Sequence, residues 1–142
     1  MKKAAALILI CLMLMQVASP IAFAATEANA YISAYGSSIT NPSSGVIHVG
    51  FSVTGTNYMS SLGASFITLY EDGSAIKTYS RYNVSDAPYM VATNRLSFSN
   101  HVTYSSAKAG STYYAVVTVF ASDGSGTGTE SCTTGSITIP SP

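Results

Sequence analysis

Apolar and polar residues alternate with a period of two along much of this chain. The clearest case is Val46 to Thr54, where Ile47, Val49, Phe51 and Val53 interleave with His48, Gly50, Ser52 and Thr54. Successive strand side chains point to opposite faces, so this spacing predicts a strand with one face in a core and one in water. Gly45 before it and Gly55-Thr56-Asn57 after it are expected to close the strand. Ser65 to Tyr70 is predicted to be the next strand. Asp72-Gly73 follows at once and supplies the positive φ angles of a tight hairpin, with the chain returning along Ala75 to Tyr82. Residues 83 to 94 read as a loop, because Pro88 is unsuited to a central strand. Leu96 to Phe98 and Val102 to Tyr104 are expected as two short strands or one bent one.

The run Thr112 to Ser122 is apolar on both faces. Tyr113, Ala115, Val117, Val119 and Ala121 share one side, and Tyr114, Val116, Thr118 and Phe120 the other. Such a strand is central and covered, or it shows an apolar outer face. A Gly-rich turn over Ser122 to Gly128 and a last strand from Thr129 to Ile139, stopped by Pro140, complete the pattern. No stretch of 11 or more residues keeps a helical period. Strands divided by Gly, Ser, Asn and Asp turns predict an all-β, antiparallel sandwich of about seven strands.

The N-terminus follows a different logic. Lys2 and Lys3 precede an uncharged run, Ala4 to Met15, and Gln16 to Ala24 end in Ala22-Phe23-Ala24. Positive start, apolar middle and small residues at the cut site make residues 1–24 a secretory signal peptide. A membrane span needs about 20 apolar residues, more than this run provides. Residues 25–30 read as a flexible lead and 31–140 as a single β domain. The expected location is therefore extracellular, with no membrane attachment after cleavage.

Beyond the signal the cations are Lys77, Arg81, Arg95 and Lys108, four against the six anions Glu27, Glu71, Asp72, Asp86, Asp123 and Glu130, a net −2. Cations so few and scattered exclude the basic stripe of a nucleic-acid binder and an electrostatic hold on anionic lipid. Cys132 is the one thiol past the signal, so no internal disulfide forms. It is expected as a free thiol on a strand, with a disulfide between chains as the alternative.

Catalytic and metal patterns are sparse. Gly63-Ala64-Ser65 begins a nucleophile elbow, but Ile67 stands where the second glycine belongs. Cys132 with His48 or His101 lacks a cationic neighbour to form the thiolate. Two histidines and a thiol fall short of the clustered ligands of a zinc site, and His48 reads as a surface residue. Asp123, Ser125, Thr127 and Glu130 have the oxygens of a calcium loop but too few carboxylates. Glu71-Asp72 reads as a polar turn. No catalytic, cofactor or metal residue is assigned.

Two resemblances add to this reading. The segment 107–131, AKAGSTYYAVVTVFASDGSGTGTES, resembles the last hairpin of fibronectin type III domains, with Gly110 three residues before Tyr113. By that resemblance the sandwich is immunoglobulin/fibronectin III-like and Tyr113 is its tyrosine corner. Residues 30–40, 55–71 and 102–137 resemble a family of small secreted Firmicutes proteins, a domain of unknown function. That likeness implies export and β architecture and carries over no site residue.

All 10 tyrosines lie beyond the signal, among many Ser, Gly and Asn. That mixture is the one binding loops of antibodies use, rigid contact area beside adaptable hydrogen bonding. It also suits ordinary secreted β surfaces, since Tyr favours pleated sheets. With Ile67, Leu69, Val117 and Val119 turned inward, Phe66, Tyr70, Tyr114, Val116 and Phe120 are expected to form one outward aromatic patch, the candidate interaction face. The function this favours is a secreted, non-catalytic binding or interaction module. Its target would be a protein, a second copy or a cell-surface polymer. The alternatives are a small secreted hydrolase and a secreted toxin or antimicrobial.

Overall fold

The computed structural model describes residues 29–142. The signal peptide expected over 1–24 and most of the expected lead lie outside the described residues. Within them the chain forms seven antiparallel strands hydrogen-bonded into one curled sheet. They are β1 (Ile32–Ser43), β2 (Val46–Glu71), β3 (Ser74–Ser80), β4 (Val91–Tyr104), β5 (Thr112–Ser122), β6 (Thr127–Thr133) and β7 (Ile137–Thr138), with a short helix α1 (Ala87–Met90) before β4.

The 26-residue β2 organises everything else. Its first half lies between β1 and β4, Val49 facing Ile39 on one side and Val102 on the other. Its second half lies between β3 and β5, Ile67 facing Tyr79 and Val117. The expected break at Gly55 does not occur. The register instead slips between Thr54 and Met59 and again between Ala64 and Phe66. A bulge bends a strand and raises its twist without ending it, so one strand passes from one set of neighbours to the next. Gly63 marks the bend. Its φ is 154°, and a Cβ there would clash with the Met90 carbonyl oxygen. Only glycine lets the end of α1 cross so close.

The alternation places the core as expected. Ile47, Val49, Val53, Leu62, Ile67, Leu69, Ala115, Val117 and Val119 are buried in one cluster. The curl brings β1 against β5 and β6. The hairpin at Asp72-Gly73 forms with φ of 48° and 85°, both positive as a tight turn of that type requires.

Two further expectations need correction. Residues 83–94 are not all loop, because α1 occupies 87–90 with Pro88 in its first turn, where its missing N–H is harmless. Leu96 to Phe98 and Val102 to Tyr104 fall in one strand, the second of the two alternatives expected, within the 14-residue β4 that starts at Val91. The last strand is divided into β6 and β7, because Thr134 intervenes. Its Oγ1 accepts the Ala115 N–H at 2.9 Å while its own N–H donates to the Ala115 carbonyl. Asn29, placed by sequence in a flexible lead, donates through Nδ2 to the Thr129 carbonyl at 3.2 Å and to Glu130 at 3.3 Å.

Tyr113 locks the start of β5. It is fully buried. Its hydroxyl accepts the Lys108 N–H at 2.8 Å and donates to Glu71 at 2.8 Å. A tyrosine hydroxyl bonded back to backbone five residues upstream pins the connection between β4 and β5.

Candidate functional site

Two outward surfaces carry the exposed chemistry, and β2 contributes to both. The first is the outer face of β3, β2, β5 and β6. The register lines up its rows: Ser80, Phe66, Thr118 and Ser131; then Thr78, Thr68, Val116 and Thr133; then Tyr70 opposite Tyr114. The Tyr70 and Tyr114 rings stack with centroids 4.7 Å apart and planes 4° off parallel. Hydroxyl pairs tie the rows across strands, Thr68 to Thr78 at 3.2 Å and Thr118 to Ser131 at 2.9 Å. Phe66 is 43% exposed, and Tyr82, which leans against it at 5.9 Å between centroids, is 70% exposed.

Of the five residues expected on this face, four are on its accessible part: Phe66, Tyr70, Tyr114 and Val116. Phe120 is the correction. It points outward, as the alternation requires, but is buried. The Arg81 guanidinium lies 3.8 Å from its ring centroid and bonds through Nη2 to the Tyr82 hydroxyl at 2.8 Å. A guanidinium is planar and weakly hydrated, so it covers an aromatic face well. Arg81 was expected within the return strand Ala75 to Tyr82, but β3 ends at Ser80, so strand alternation does not show where its side chain goes. Tyr82 was missed for the same reason.

The second surface is the outer face of β1, β2 and β4. Its cross-strand rows are Thr40, His48 and Thr103; Ser38, Gly50 and His101; Gly36, Ser52 and Ser99. Gly and Ser leave it hollow, an open depression of about 610 Å³ lined by these residues other than Thr103, and by Asn100 among others. Across it the His48 and His101 rings stack, centroids 4.2 Å apart and planes 28° off parallel. Sequence placed His48 on the polar side correctly. It did not pair it with His101, because the partner lies on another strand and is set by register. No cation and no carboxylate lines this hollow.

A smaller hollow of about 350 Å³ adjoins the free side of β4, lined by Tyr79, Asp86, Tyr89, Asn100 and His101 among others. Burial, with Asp86 and Tyr104 adding, pushes the Tyr79 phenol up to about 12. It remains a donor at neutral pH, to the Thr103 carbonyl at 2.8 Å.

The remaining sequence candidates have structural roles. Cys132 is a free thiol on β6 opposite Val117, packed against the core beside Tyr35. Asp123 holds its own turn, accepting from the Ser125 N–H and hydroxyl at 2.8 Å each and from the Gly126 N–H at 3.1 Å. These bonds hold its carboxyl below the usual carboxylate range. Glu71 takes the Tyr113 hydroxyl and the Lys108 ammonium, the latter at 3.3 Å, and Asp72 accepts the Thr112 N–H at 2.9 Å. Among the described residues no three His, Cys, Asp or Glu side chains cluster into one ligand set. No helix of the described residues is long and apolar enough to cross a membrane. No protein-family model, no curated protein and no solved structure matches the chain.

Proposed function

We propose that this chain is an exported, non-catalytic binding or interaction module that meets its target with the outer face of β3, β2, β5 and β6. The observation that carries this reading is the parallel Tyr70–Tyr114 stack at 4.7 Å, flanked by exposed Phe66 and Tyr82. Two phenol rings fixed by cross-strand packing offer contact area at little entropic cost. Exposed apolar groups gathered on one face mark an interface more often than the same groups scattered. The threonine and serine hydroxyls between them add directional bonding.

Export rests on the signal sequence in residues 1–24 and on the likeness to secreted Firmicutes proteins. The further assignment to an immunoglobulin/fibronectin III-like sandwich is supported by the strand adjacency and by the Tyr113 corner. The target is a protein, a second copy of the chain or a cell-surface polymer.

The test is co-sedimentation of purified protein with washed Gram-positive cell walls, beside a Tyr70→Ser, Tyr114→Ser double variant of unchanged fold. Wild type in the pellet and variant in the supernatant supports the face as a wall-binding site. Equal pelleting of the two overturns the assignment of the face. If neither pellets, a wall polymer is excluded as target. Sedimentation velocity then tests self-association, which the same two substitutions should abolish.

A further inference from the structure

The hollow on β1, β2 and β4 lies apart from the face just assigned and carries its own chemistry. We propose that His48 and His101 are the protein ligands of a site for a late first-row transition-metal cation, with Cu2+ held most tightly. Imidazole suits copper, nickel and zinc, and affinity at a given site rises toward copper. The two rings come from different strands of one sheet and stand 4.2 Å apart, centroid to centroid. Two nitrogens cis on one metal at about 2.0–2.1 Å each are about 3 Å apart. The site requires rotation about the side-chain bonds, with the backbone fixed, to bring one nitrogen of each ring to that separation.

The surroundings favour a cation over a simple packing contact. Gly36 and Gly50 put no side chain on the floor, and the hollow keeps about 610 Å³ open above the rings. Ser38 and Thr40, with their hydroxyls, and the Asn100 backbone carbonyl beside Gly50 line the same space and, with water, can complete a coordination sphere of mixed nitrogen and oxygen donors. No lysine or arginine lines the hollow to repel a dication. With no carboxylate there either, the bound ion keeps its charge and open positions, which suits an exchangeable site rather than a structural one. The spacing escaped the sequence because His48 and His101 are 53 positions apart and meet only through the β2–β4 register, in which Gly50 faces His101.

The experiment is isothermal titration of the purified protein with CuSO4 and with ZnCl2, in a Cys132→Ser background so that thiol chemistry does not enter. His48→Gln, His101→Gln and the double variant are titrated alongside. The prediction is one Cu2+ per chain, reversed by EDTA, with Zn2+ weaker. Even outer-shell partners of metal ligands are worth about 10- to 100-fold in affinity, so each single substitution should weaken Cu2+ by at least about tenfold. Electron paramagnetic resonance of the Cu2+ complex should show two nitrogen donors, falling to one in each single variant. Thermal unfolding without metal checks that the variants are folded. Loss of binding with His101→Gln but none with His48→Gln describes a single surface histidine and overturns the proposal. Wild-type binding unchanged by either substitution, or absent, overturns it as well.

Discussion

The two halves of β2 share an interior and differ outside. Inward, Ile47, Val49, Phe51 and Val53 in the first half and Ile67 and Leu69 in the second enter one buried cluster. Outward, the first half presents His48, Gly50, Ser52 and Thr54, and the second presents Phe66, Thr68 and Tyr70. The neighbours follow the same division: Gly36, Ser38 and Ser99 beside the first, Tyr114, Val116 and Thr118 beside the second. One strand thus makes a hollow polar surface at one end and a filled aromatic one at the other. The difference lies in side-chain volume alone, since backbone and core are continuous. Nothing in the core demands either surface. The outward residues are free to serve contact with other molecules.

The joint between the halves is where the comparison breaks most easily. Gly63→Ala should produce the largest effect. The added methyl would meet the Met90 carbonyl oxygen, a backbone atom that cannot swing aside, at a φ of 154° that L residues rarely adopt. Strain at such positions is worth about 1–3 kcal/mol before any clash is counted, so a loss of about 3 kcal/mol or more is expected. The check is the urea midpoint of Gly63→Ala against wild type. A shift worth less than about 1 kcal/mol would mean that the halves are coupled loosely enough for α1 to move away.

The aromatic half has a second lock at its far end, where β2 runs into the hairpin. Tyr113→Phe removes the hydroxyl that joins the Lys108 N–H to Glu71. Loss of a buried bond that leaves a partner unsatisfied is worth about 1–3 kcal/mol. Its pH dependence has a definite sign. Glu71 is held below its ordinary 4.5, first by the Tyr113 hydroxyl and then by Lys108, against the opposing effect of burial. A carboxyl with a depressed folded-state pKa adds stability that is complete above the unfolded value and is lost as pH falls through the folded one. Wild type should therefore lose this contribution in acid, and Tyr113→Phe should have less of it to lose. Urea midpoints at neutral pH and below pH 4 should show the gap between the two proteins narrowing in acid. A gap that widens would contradict the Glu71 hydrogen bond.

How much of this was readable beforehand follows from the range of each cause. The alternation of Val46–Thr54 and Thr112–Ser122 reports burial residue by residue, so the core and the all-β class were legible. Asp72-Gly73 was legible because a turn is written in two adjacent residues. The continuity of β2 was not, because Gly55 and Asn57 have the local chemistry of a stop. Whether a strand stops or bulges there depends on the partners available to it, and those come from β4 and β5. The burial of Phe120 was hidden for a similar reason. Period two gave its direction, but the Arg81 side chain that covers it comes from the end of another strand. The His48–His101 pair depends on register, which a single sequence does not print.

The finest difference between the surfaces is the coupling within their ring pairs. Tyr70 and Tyr114 are directly opposed across β2 and β5, with rings parallel to 4°. His48 and His101 are diagonal, since His48 faces Thr103 and Gly50 faces His101. Direct cross-strand aromatic pairs gain about 0.5–1.5 kcal/mol beyond area burial; diagonal pairs rise from backbone positions farther apart, so the histidine rings, though 4.2 Å apart, are tilted by 28° and held less by register. Two double-mutant cycles compare them: Tyr70→Ser with Tyr114→Ser, and His48→Gln with His101→Gln, each read by chemical denaturation without metal. The tyrosine pair should couple by about 0.5–1 kcal/mol, and the histidine pair by less. That order would mean the phenols are held as a preset platform while the imidazoles stay free to turn toward a ligand. Coupling as large between the histidines as between the tyrosines would mean that both pairs are structural, and that the two ends of β2 differ in shape but not in readiness to bind.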